Sequence, residues 1–225
     1  PKTQLKTEDA LVIEAPIQIN INNKPYTVVM RTPGNDLELV RGLLFAEDIY
    51  KQEAVFRFEV IEVKKGGETI VNISIPEEML GKGYLNKRTL LSVSSCGICG
   101  KQELKDLVVS GDTIDLKNAM AASNIQKMFA LMQAHQKTFK KSGGSHAAAL
   151  FNANNTLLSI QEDIGRHNAV DKVVGELLLK KQLKEATFML VSGRVSYEIV
   201  SKAFIAKIPI IVAVSACSSL AVDFS

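Results

Sequence analysis

From residue 122 to the end of the chain, helical and strand spacings of apolar residues follow one another in an order that few folds can accommodate. The spacing predicts one helix, a β-hairpin and then two helix–strand pairs, at residues 122–140, 147–160, 168–181, 187–191, 197–207 and 210–214. Helices that alternate with strands after a hairpin build a layered α/β domain on a mixed sheet. Gly and Ser residues at 142–145 and 192–193 fall where these elements meet.

The first part of the chain has a different pattern, in which alternating segments surround one helical segment. Residues 11–21 and 26–30 predict a hairpin, and residues 55–63 and 69–75 predict a second one. Between the hairpins, turn residues precede an amphipathic helix that begins near Leu37 and ends near Ala46. We therefore divide the chain into an N-terminal α+β module, residues 1–115, and an α/β domain, residues 116–225.

Charge and cysteine usage exclude several classes of protein. The 27 Lys and Arg against 24 Asp and Glu give a net charge of +3, and their scatter argues against nucleic-acid binding. No run approaches the ~18 apolar residues that span a bilayer, and the first residues lack the apolar core of a signal peptide. Three cysteines do not suit a secreted disulfide framework. We expect a soluble, cytoplasmic protein without membrane attachment.

The pair Cys96 and Cys99, separated by two residues, is the sharpest local feature of the sequence. It lies between a predicted strand at 90–93 and a predicted helix at 101–107. Amides at a helix start and the nearby Lys101 favour the thiolate over the thiol. Glycines at 97 and 100 leave little bulk over the sulfurs, as a loop that presents a thiol to a large partner requires.

Several kinds of chemistry remain open for this pair. Structural zinc needs four ligands, and no second pair stands at metal-site spacing, so we predict no bound metal. The other candidate ligands are Cys217, His135, His146 and His167. A dithiol oxidoreductase uses the same spacing, although the flanking order is not that of a thioredoxin-like domain. A persulfide carrier receives sulfane sulfur on one cysteine and releases it with help from the other. In the alternative without chemistry, Cys96 and Cys99 are two buried structural thiols.

A second candidate segment, residues 161–172, joins the end of a predicted strand to the start of a predicted helix. Arg166 and His167 then lie at a helix N-terminus, where free amides and the helix dipole favour an anion such as phosphate. In the alternative interpretation, Asp163 or Asn168 caps the helix and His167 is a surface residue of its first turn.

A third segment, residues 191–198, again joins a strand to a helix and offers Ser192, Gly193 and Arg194 to the same edge of the sheet. Ligands of open α/β sheets bind at that edge. The Gly-rich stretch that contains Gly144 and His146 precedes the hairpin and adds another side to this candidate ligand site. It does not have the glycine spacing of a phosphate-binding loop. Ordinary capped loops remain the alternative for both segments.

Residues 94–100, 162–172 and 192–198 together strongly resemble the formate dehydrogenase accessory sulfurtransferases of the FdhD family. Order and spacing match along nearly the whole chain, including residues 39–47 and 143–147. The resemblance implies a cytidine deaminase-like mixed-sheet α/β domain with a smaller N-terminal α+β module, in a homodimer. Deaminase chemistry is not expected, because the helix start reads His167-Asn168-Ala169 and lacks the catalytic Glu. The family continues past the position of Ser225, so site residues drawn from this chain are incomplete.

The function that the resemblance implies is a sulfur relay. Members accept a persulfide from a cysteine desulfurase and sulfurate the molybdenum bis(molybdopterin guanine dinucleotide) cofactor that formate dehydrogenase needs. By position, Cys96 is the persulfide carrier and Cys99 its assisting partner, while Cys217 is a buried small hydrophobe. The residues that would bind the cofactor are Gly144, His146, Asp163, Arg166, His167, Ser192, Gly193 and Arg194. A molybdenum-cofactor chaperone without sulfur transfer, or a dithiol oxidoreductase, is the alternative.

Overall fold

The computed structural model describes residues 8–52, 56–85, 114 and 122–225. The first part contains β1 (Ala15–Ile21), β2 (Lys24–Arg31), α1 (Asp36–Ala46), β3 (Arg57–Val63), β4 (Thr69–Ser74) and α2 (Lys82–Leu85). The second part contains α3 (Ala122–His135), α4 (Lys137–Ser142), β5 (His146–Asn152), β6 (Leu157–Asp163), α5 (Arg166–Leu179), β7 (Ala186–Val191), α6 (Tyr197–Ile205), β8 (Ile210–Ala213) and α7 (Ser219–Phe224).

The first four strands form one sheet in the order β2-β1-β4-β3. Both predicted hairpins are confirmed, since β1 pairs antiparallel with β2 and β3 pairs antiparallel with β4. Strands β1 and β4 join the hairpins as parallel neighbours, with Ile17 opposite Thr69. The inward residues of β1 alternate strictly with half-buried ones, which places Ile17, Ile19 and Ile21 in the core against α1.

The second sheet has the order β6-β5-β7-β8, with β5 antiparallel to both neighbours and β7 parallel to β8. This mixed sheet confirms the predicted α/β fold class. Helices α5 and α6 bury their apolar residues on one face of the sheet, whereas Met128 and Met132 of α3 pack on the other. The predicted strand at 90–93, the predicted helix at 101–107 and the boundary between 115 and 116 lie outside the described residues and stay predictions.

The prediction of one helix over 122–140 was wrong, because the helix breaks at Gln136. The ψ of Gln136 is 77°, outside the helical region, and α4 begins at the next residue. The carboxylate of Glu162 on β6 accepts the amides of Thr138 and Phe139, both at 2.8 Å. A side chain from the neighbouring sheet therefore caps α4, and the apolar period of the helix itself carries no sign of this contact.

Helices α1 and α5 join the two sheets through an unusually close contact. A Cβ built on Gly42 of α1 would stand 1.9 Å from the carbonyl oxygen of Asp171 on α5. A Cβ built on Gly175 of α5 would stand 1.9 Å from the carbonyl oxygen of Glu38 on α1. Glycine at both positions therefore lets the two backbones touch, and this contact ties the first sheet to the helix that begins at the candidate site.

Candidate functional site

Three strand ends and two helix starts meet at one edge of the second sheet. His146 begins β5 and pairs with Asp163, which ends β6. Val191 ends β7 and pairs with Ala148, two residues after His146 on β5. Helix α5 begins at Arg166 and α6 begins at Tyr197. The chain thus brings its second and third candidate segments to the same edge.

His146 and Arg166 both lie close to Gly193 at this edge. A Cβ built on Gly193 would stand 3.2 Å from His146 Nδ1 and 3.4 Å from Arg166 Cδ, which is tight but not forbidden. Gly193 is buried, whereas Arg194 beside it is exposed. The three predicted segments therefore contribute one residue each to a small cluster, with Arg194 at its rim.

The cluster keeps His146 in its neutral form more readily than a free histidine. Burial has the largest effect, and the charges of Arg166 and then Arg194 also lower the pKa of His146, while Asp163 opposes them. Two guanidinium groups and a neutral imidazole make the local charge positive. An anion that lies between the two arginines would be attracted by this positive charge.

Arg166 shows the clearest sign of an incomplete site. Its Nε is buried and has no hydrogen-bond partner among the described residues. A buried guanidinium nitrogen without a partner is costly, so this group calls for a partner beyond the described residues. Arg166 is also the first residue of α5, whose N-cap Gly165 has no side chain to cap the helix. These donors suit an anion such as a phosphate.

Asp163 has a different surrounding from the other candidates, because its carboxylate is already engaged within the protein. Oδ1 accepts from the amide of Gly165 at 2.8 Å and from Asn168 Nδ2 at 2.9 Å. Oδ2 accepts from the amide of Thr32 at 3.1 Å and pairs with Lys172 Nζ at 2.7 Å. Asp163 is fully buried. The structure therefore places it beneath the cluster, where it shapes the turn that leads into α5.

Thr32 and Lys172 contact the turn that leads into α5, and neither contact was among the sequence predictions. The Thr32 hydroxyl accepts from the amide of Ile164 at 3.0 Å, and its carbonyl accepts from Lys172 Nζ at 3.0 Å. Asn168, which we named only as a possible cap, also donates to the carbonyl of Met30 at 2.8 Å. The loop after β2 thus holds the start of α5. The one signal in the sequence was a lysine on the apolar face of a helix.

His167 lies below the surface and connects the two helix starts. Its Nε2 is 3.3 Å from Ser196 Oγ, and its Nδ1 is 3.3 Å from Glu198 Oε2. Glu198 Oε1 lies 3.7 Å from Lys202 Nζ, which also contacts both oxygens of Asp171 at 2.6 Å. We call Asp171, Lys202, Glu198 and His167 the buried relay. No pattern along the chain indicates this group, because its members come from two helices.

The Asp171 and Lys202 pair is charged at neutral pH. Burial raises the pKa of Asp171 to about 6, against the opposing effect of Lys202. Burial works to lower the pKa of Lys202, but the carboxylates of Asp171, Glu198 and Glu47 outweigh it and raise that pKa. A proton therefore leaves Asp171 before pH 7 and stays on Lys202, as the two short contacts require.

Ser192 and Gly144 lie at the margin of the cluster. Ser192 Oγ accepts from the amide of Ala147 at 2.8 Å and so links β7 to β5. Gly144 is exposed, its amide donates to Ser142 Oγ at 3.2 Å, and a Cβ on it would stand 2.8 Å from Val12 Cγ1. These contacts of the two residues are with the chain itself, so their contacts with a cofactor stay predictions.

The cysteines divide into two groups. Cys96 and Cys99 lie outside the described residues, so their geometry is not part of the site described above. Cys217 is exposed, which corrects the prediction that it is a buried small hydrophobe. It follows the end of β8 and bridges to Val195, beyond the strand whose apolar run suggested burial. Among the described residues, no group of three or more His, Cys, Asp or Glu could hold a metal ion.

Within residues 8–52, 56–85 and 122–225, no helix is both long and apolar enough to cross a membrane.

Comparison with known proteins shows which family this chain is similar to. A family model described as the FdhD/NarQ family matches residues 12–225. The sulfur carrier protein FdhD of Mycobacterium tuberculosis is 37% identical over 236 aligned residues, which cover 96% of this chain and 83% of the relative. The sulfur carrier protein FdhD of Sulfolobus acidocaldarius is 39% identical over 220 aligned residues, which cover 97% of this chain and 82% of the relative.

A solved structure shares the fold. A crystal structure from Desulfotalea psychrophila, described as that of a formate dehydrogenase accessory protein, has a TM-score of 0.69 and 24% identity, and the match covers 96% of this chain and 80% of that one. At this identity the likeness concerns the fold alone. The family model spans nearly the whole chain, and the two curated relatives share more than a third of their aligned residues with it, so this chain belongs to the FdhD/NarQ family.

Proposed function

We propose that this protein is a sulfur carrier that takes a persulfide from a cysteine desulfurase and delivers its sulfur to the molybdenum bis(molybdopterin guanine dinucleotide) cofactor for formate dehydrogenase. The observation that carries the proposal is the match of 96–97% of the chain to relatives named sulfur carrier protein FdhD. The loop with Cys96 and Cys99 supplies the thiols that such a role needs.

The chemistry proposed for Cys96 is thiol–persulfide exchange. The Cys96 thiolate attacks the terminal sulfur of the desulfurase persulfide, the S–S bond breaks, and the desulfurase cysteine leaves as a thiolate. Cys96 then carries the sulfane sulfur. Attack by the Cys99 thiolate on the Cys96 sulfur releases the terminal sulfur as hydrosulfide and leaves a disulfide, which a thiol reductant returns to two thiols. The hydrosulfide is the form delivered to the molybdenum.

The cofactor is the substrate of this reaction, and we propose that its guanine nucleotide binds at the strand ends. The buried, unpartnered Nε of Arg166 supports this assignment, as do the uncapped start of α5 and the neighbouring Arg194. Each offers a donor or a positive charge to a pyrophosphate. Gly193 supports it further, because a side chain there would crowd His146 and Arg166.

The remaining parts of the proposal are partners and location. The protein acts in the cytoplasm as a homodimer, with a cysteine desulfurase as sulfur donor and formate dehydrogenase as the final recipient of the matured cofactor. The resemblance of residues 94–100, 162–172 and 192–198 to the family supports these assignments.

A labelling experiment tests sulfur carriage directly. The purified chain is incubated with a cysteine desulfurase and cysteine labelled in its sulfur, and peptides are analysed by mass spectrometry without reductant. We expect one added sulfur on Cys96. The label should be absent from a Cys96→Ala variant and should remain in a Cys217→Ala variant, the matched control with an exposed cysteine elsewhere.

Activity in cells separates sulfur carriage from chaperoning. In a strain that lacks its own relative of this protein, the parent chain should restore formate dehydrogenase activity. Full restoration by the Cys96→Ala, Cys99→Ala double variant would reject the sulfur carrier and favour a cofactor chaperone without sulfur transfer.

A further inference from the structure

His146 lies on the same face of the second sheet as Asp163. The two residues are opposite each other in the antiparallel pair of β5 and β6, and opposite residues of such a pair point to one face. Ala148, the next residue of β5 on this face, belongs to the core that α5 and α6 cover. The partly buried imidazole of His146 is therefore at the end of that face, beside the start of α5.

The carboxylate opposite His146 is already engaged by other groups. Both oxygens of Asp163 accept hydrogen bonds or ion pairs, from the amides of Gly165 and Thr32 and from the side chains of Asn168 and Lys172. The Lys172 ammonium, 2.7 Å from Oδ2, also offsets the negative charge of Asp163. A proton on His146 would therefore gain only part of the stabilisation that a free carboxylate provides.

Positive groups from two other elements face the same ring. Arg166 begins α5 and Arg194 follows β7, and the charges of both lower the pKa of His146. Neither arginine forms an ion pair with a described residue, and the Nε of Arg166 is buried without a hydrogen-bond partner among them. Glu162, which lies next to Asp163 on β6, is bound to amides at the start of α4. The ring thus faces two guanidinium groups that no described carboxylate pairs.

We propose that His146 takes up a proton from solvent when an anion binds between Arg166 and Arg194, and that its imidazolium becomes a third positive group against the phosphates of the nucleotide. This inference rests on the nucleotide pocket proposed above. The anion offsets the two positive charges that disfavour the imidazolium, so the proton and the anion each strengthen the binding of the other. Nucleotide binding is therefore coupled to pH through His146.

The direction of the pH effect follows from the two states of His146. In the free protein, burial and the two arginines hold the pKa of His146 below its ordinary value of 6.5, and a bound anion raises it. Between the two pKa values only the complex holds the proton. The affinity therefore rises as the pH falls through the pKa of the complex, and it levels off below the pKa of the free protein. A pKa rise of about one unit corresponds to a gain in affinity of up to about tenfold.

Calorimetry of GDP binding measures the proton uptake. In buffers of different ionisation enthalpy, the observed binding enthalpy changes in proportion to the number of protons taken up. The full-length parent, His146→Gln and His135→Gln are compared at pH values from about 5.5 to 8, which span the ordinary histidine pKa. Glutamine is neutral and still forms hydrogen bonds. His135 is exposed at the end of α3, so His135→Gln is the matched control.

The difference between the proteins isolates His146, because the terminal phosphate of GDP itself titrates near pH 6 in every sample. We expect the parent and His135→Gln to take up more protons per bound GDP than His146→Gln does. Relative to His146→Gln, both should also lose affinity by up to about tenfold as the pH rises through the window.

Nuclear magnetic resonance shows which residue holds the proton. The chain has three histidines, and the ring signal of His146 is the one lost in His146→Gln. His146→Asn gives the same assignment if His146→Gln fails to fold. The titration midpoint of His146 should rise by about one pH unit or more with saturating GDP, whereas that of His135 should stay the same.

The outcomes separate proton coupling from the nucleotide pocket. Equal proton uptake by the parent and His146→Gln would place the proton on another group and overturn the coupling, while the pocket would stand. An unchanged titration midpoint of His146 with saturating GDP would overturn it as well. If the parent does not bind GDP at any of these pH values, the nucleotide pocket itself is wrong, and the coupling is rejected with it.

Discussion

Gly42 of α1 lies against the backbone of Asp171 on α5, where an added Cβ would stand 1.9 Å from the carbonyl oxygen. Alanine favours a helix over glycine by about 1 kcal/mol, yet Gly42→Ala should lower the free energy of unfolding by about 2 kcal/mol, since the two helices must separate. Urea denaturation measures this. Gln133→Ala on the exposed side of α3 is the control and should change stability by less than about 0.5 kcal/mol. Equal stability of parent and Gly42→Ala would mean that the helices do not touch.

Two lysines test the difference between buried and exposed ion pairs. Lys172→Met leaves the buried carboxylate of Asp163 without its cation and should cost about 3 kcal/mol of unfolding free energy. Lys180→Met breaks the pair with Glu176, in which the lysine side chain is 49% exposed, and should cost less than about 0.5 kcal/mol. Denaturation of both variants in the same buffer checks the contrast, and similar losses would contradict the buried role of Lys172.

The raised pKa of Asp171 predicts a pH dependence of stability. In the unfolded chain its pKa is 3.8, whereas burial raises it to about 6 in the fold. Between these values the folded protein keeps a proton that the unfolded chain has released, so this contribution to stability falls as pH rises from about 4 to about 6.

Asp171→Asn removes the titration and isolates its effect. The difference in unfolding free energy, parent minus variant, should decrease over that pH window and level off above it. Urea denaturation at several pH values from 4 to 7 measures the difference. A difference that grows with pH would show that the carboxylate is stabilised in its charged form instead.

The arginines of the cluster should determine nucleotide affinity. A hydrogen bond to a charged group is worth about 1.5 to 3 kcal/mol, so Arg166→Ala and Arg194→Ala should each weaken GDP binding about tenfold or more. Calorimetry measures the constants. Arg57→Ala, whose side chain is 75% exposed on β3, removes the same charge far from the cluster and should have little effect. Unchanged affinity in both cluster variants would place the pocket elsewhere.

Thiol labelling should distinguish the cysteine loop from Cys217. Cys217 is exposed, so its accessibility alone would allow it to react with a thiol reagent. Faster reaction of the cysteine loop therefore has to come from a larger thiolate fraction near Lys101. With limiting maleimide, Cys96 or Cys99 should be modified first, as peptide mass spectrometry will show. Faster labelling of Cys217 would contradict the assignment of the nucleophile.

The sequence predicted elements more reliably than contacts. Period and turn residues located both sheets and the start of α5, because these depend on neighbours within a few positions. Lys172 and Lys202 were missed as buried groups, since a lysine in a helix ordinarily faces solvent. Their partners come from Thr32 and Asp171, on other elements. The break at Gln136 was missed for the same reason, because Glu162, which caps α4 after the break, lies on β6.

The bond from Thr32 to Asp163 spans 131 positions of the chain, and this distance has a consequence for synthesis. During translation, the first sheet leaves the ribosome long before α5 is synthesised. The face of α1 that carries Gly42 is exposed to solvent until α5 packs against it. Contacts between residues so distant in sequence slow folding, since the entropy of closing a long loop is lost before the stabilising contact forms. A nascent chain that ends before α5 should therefore bind chaperones that recognise exposed apolar helices, and the complete chain should release them.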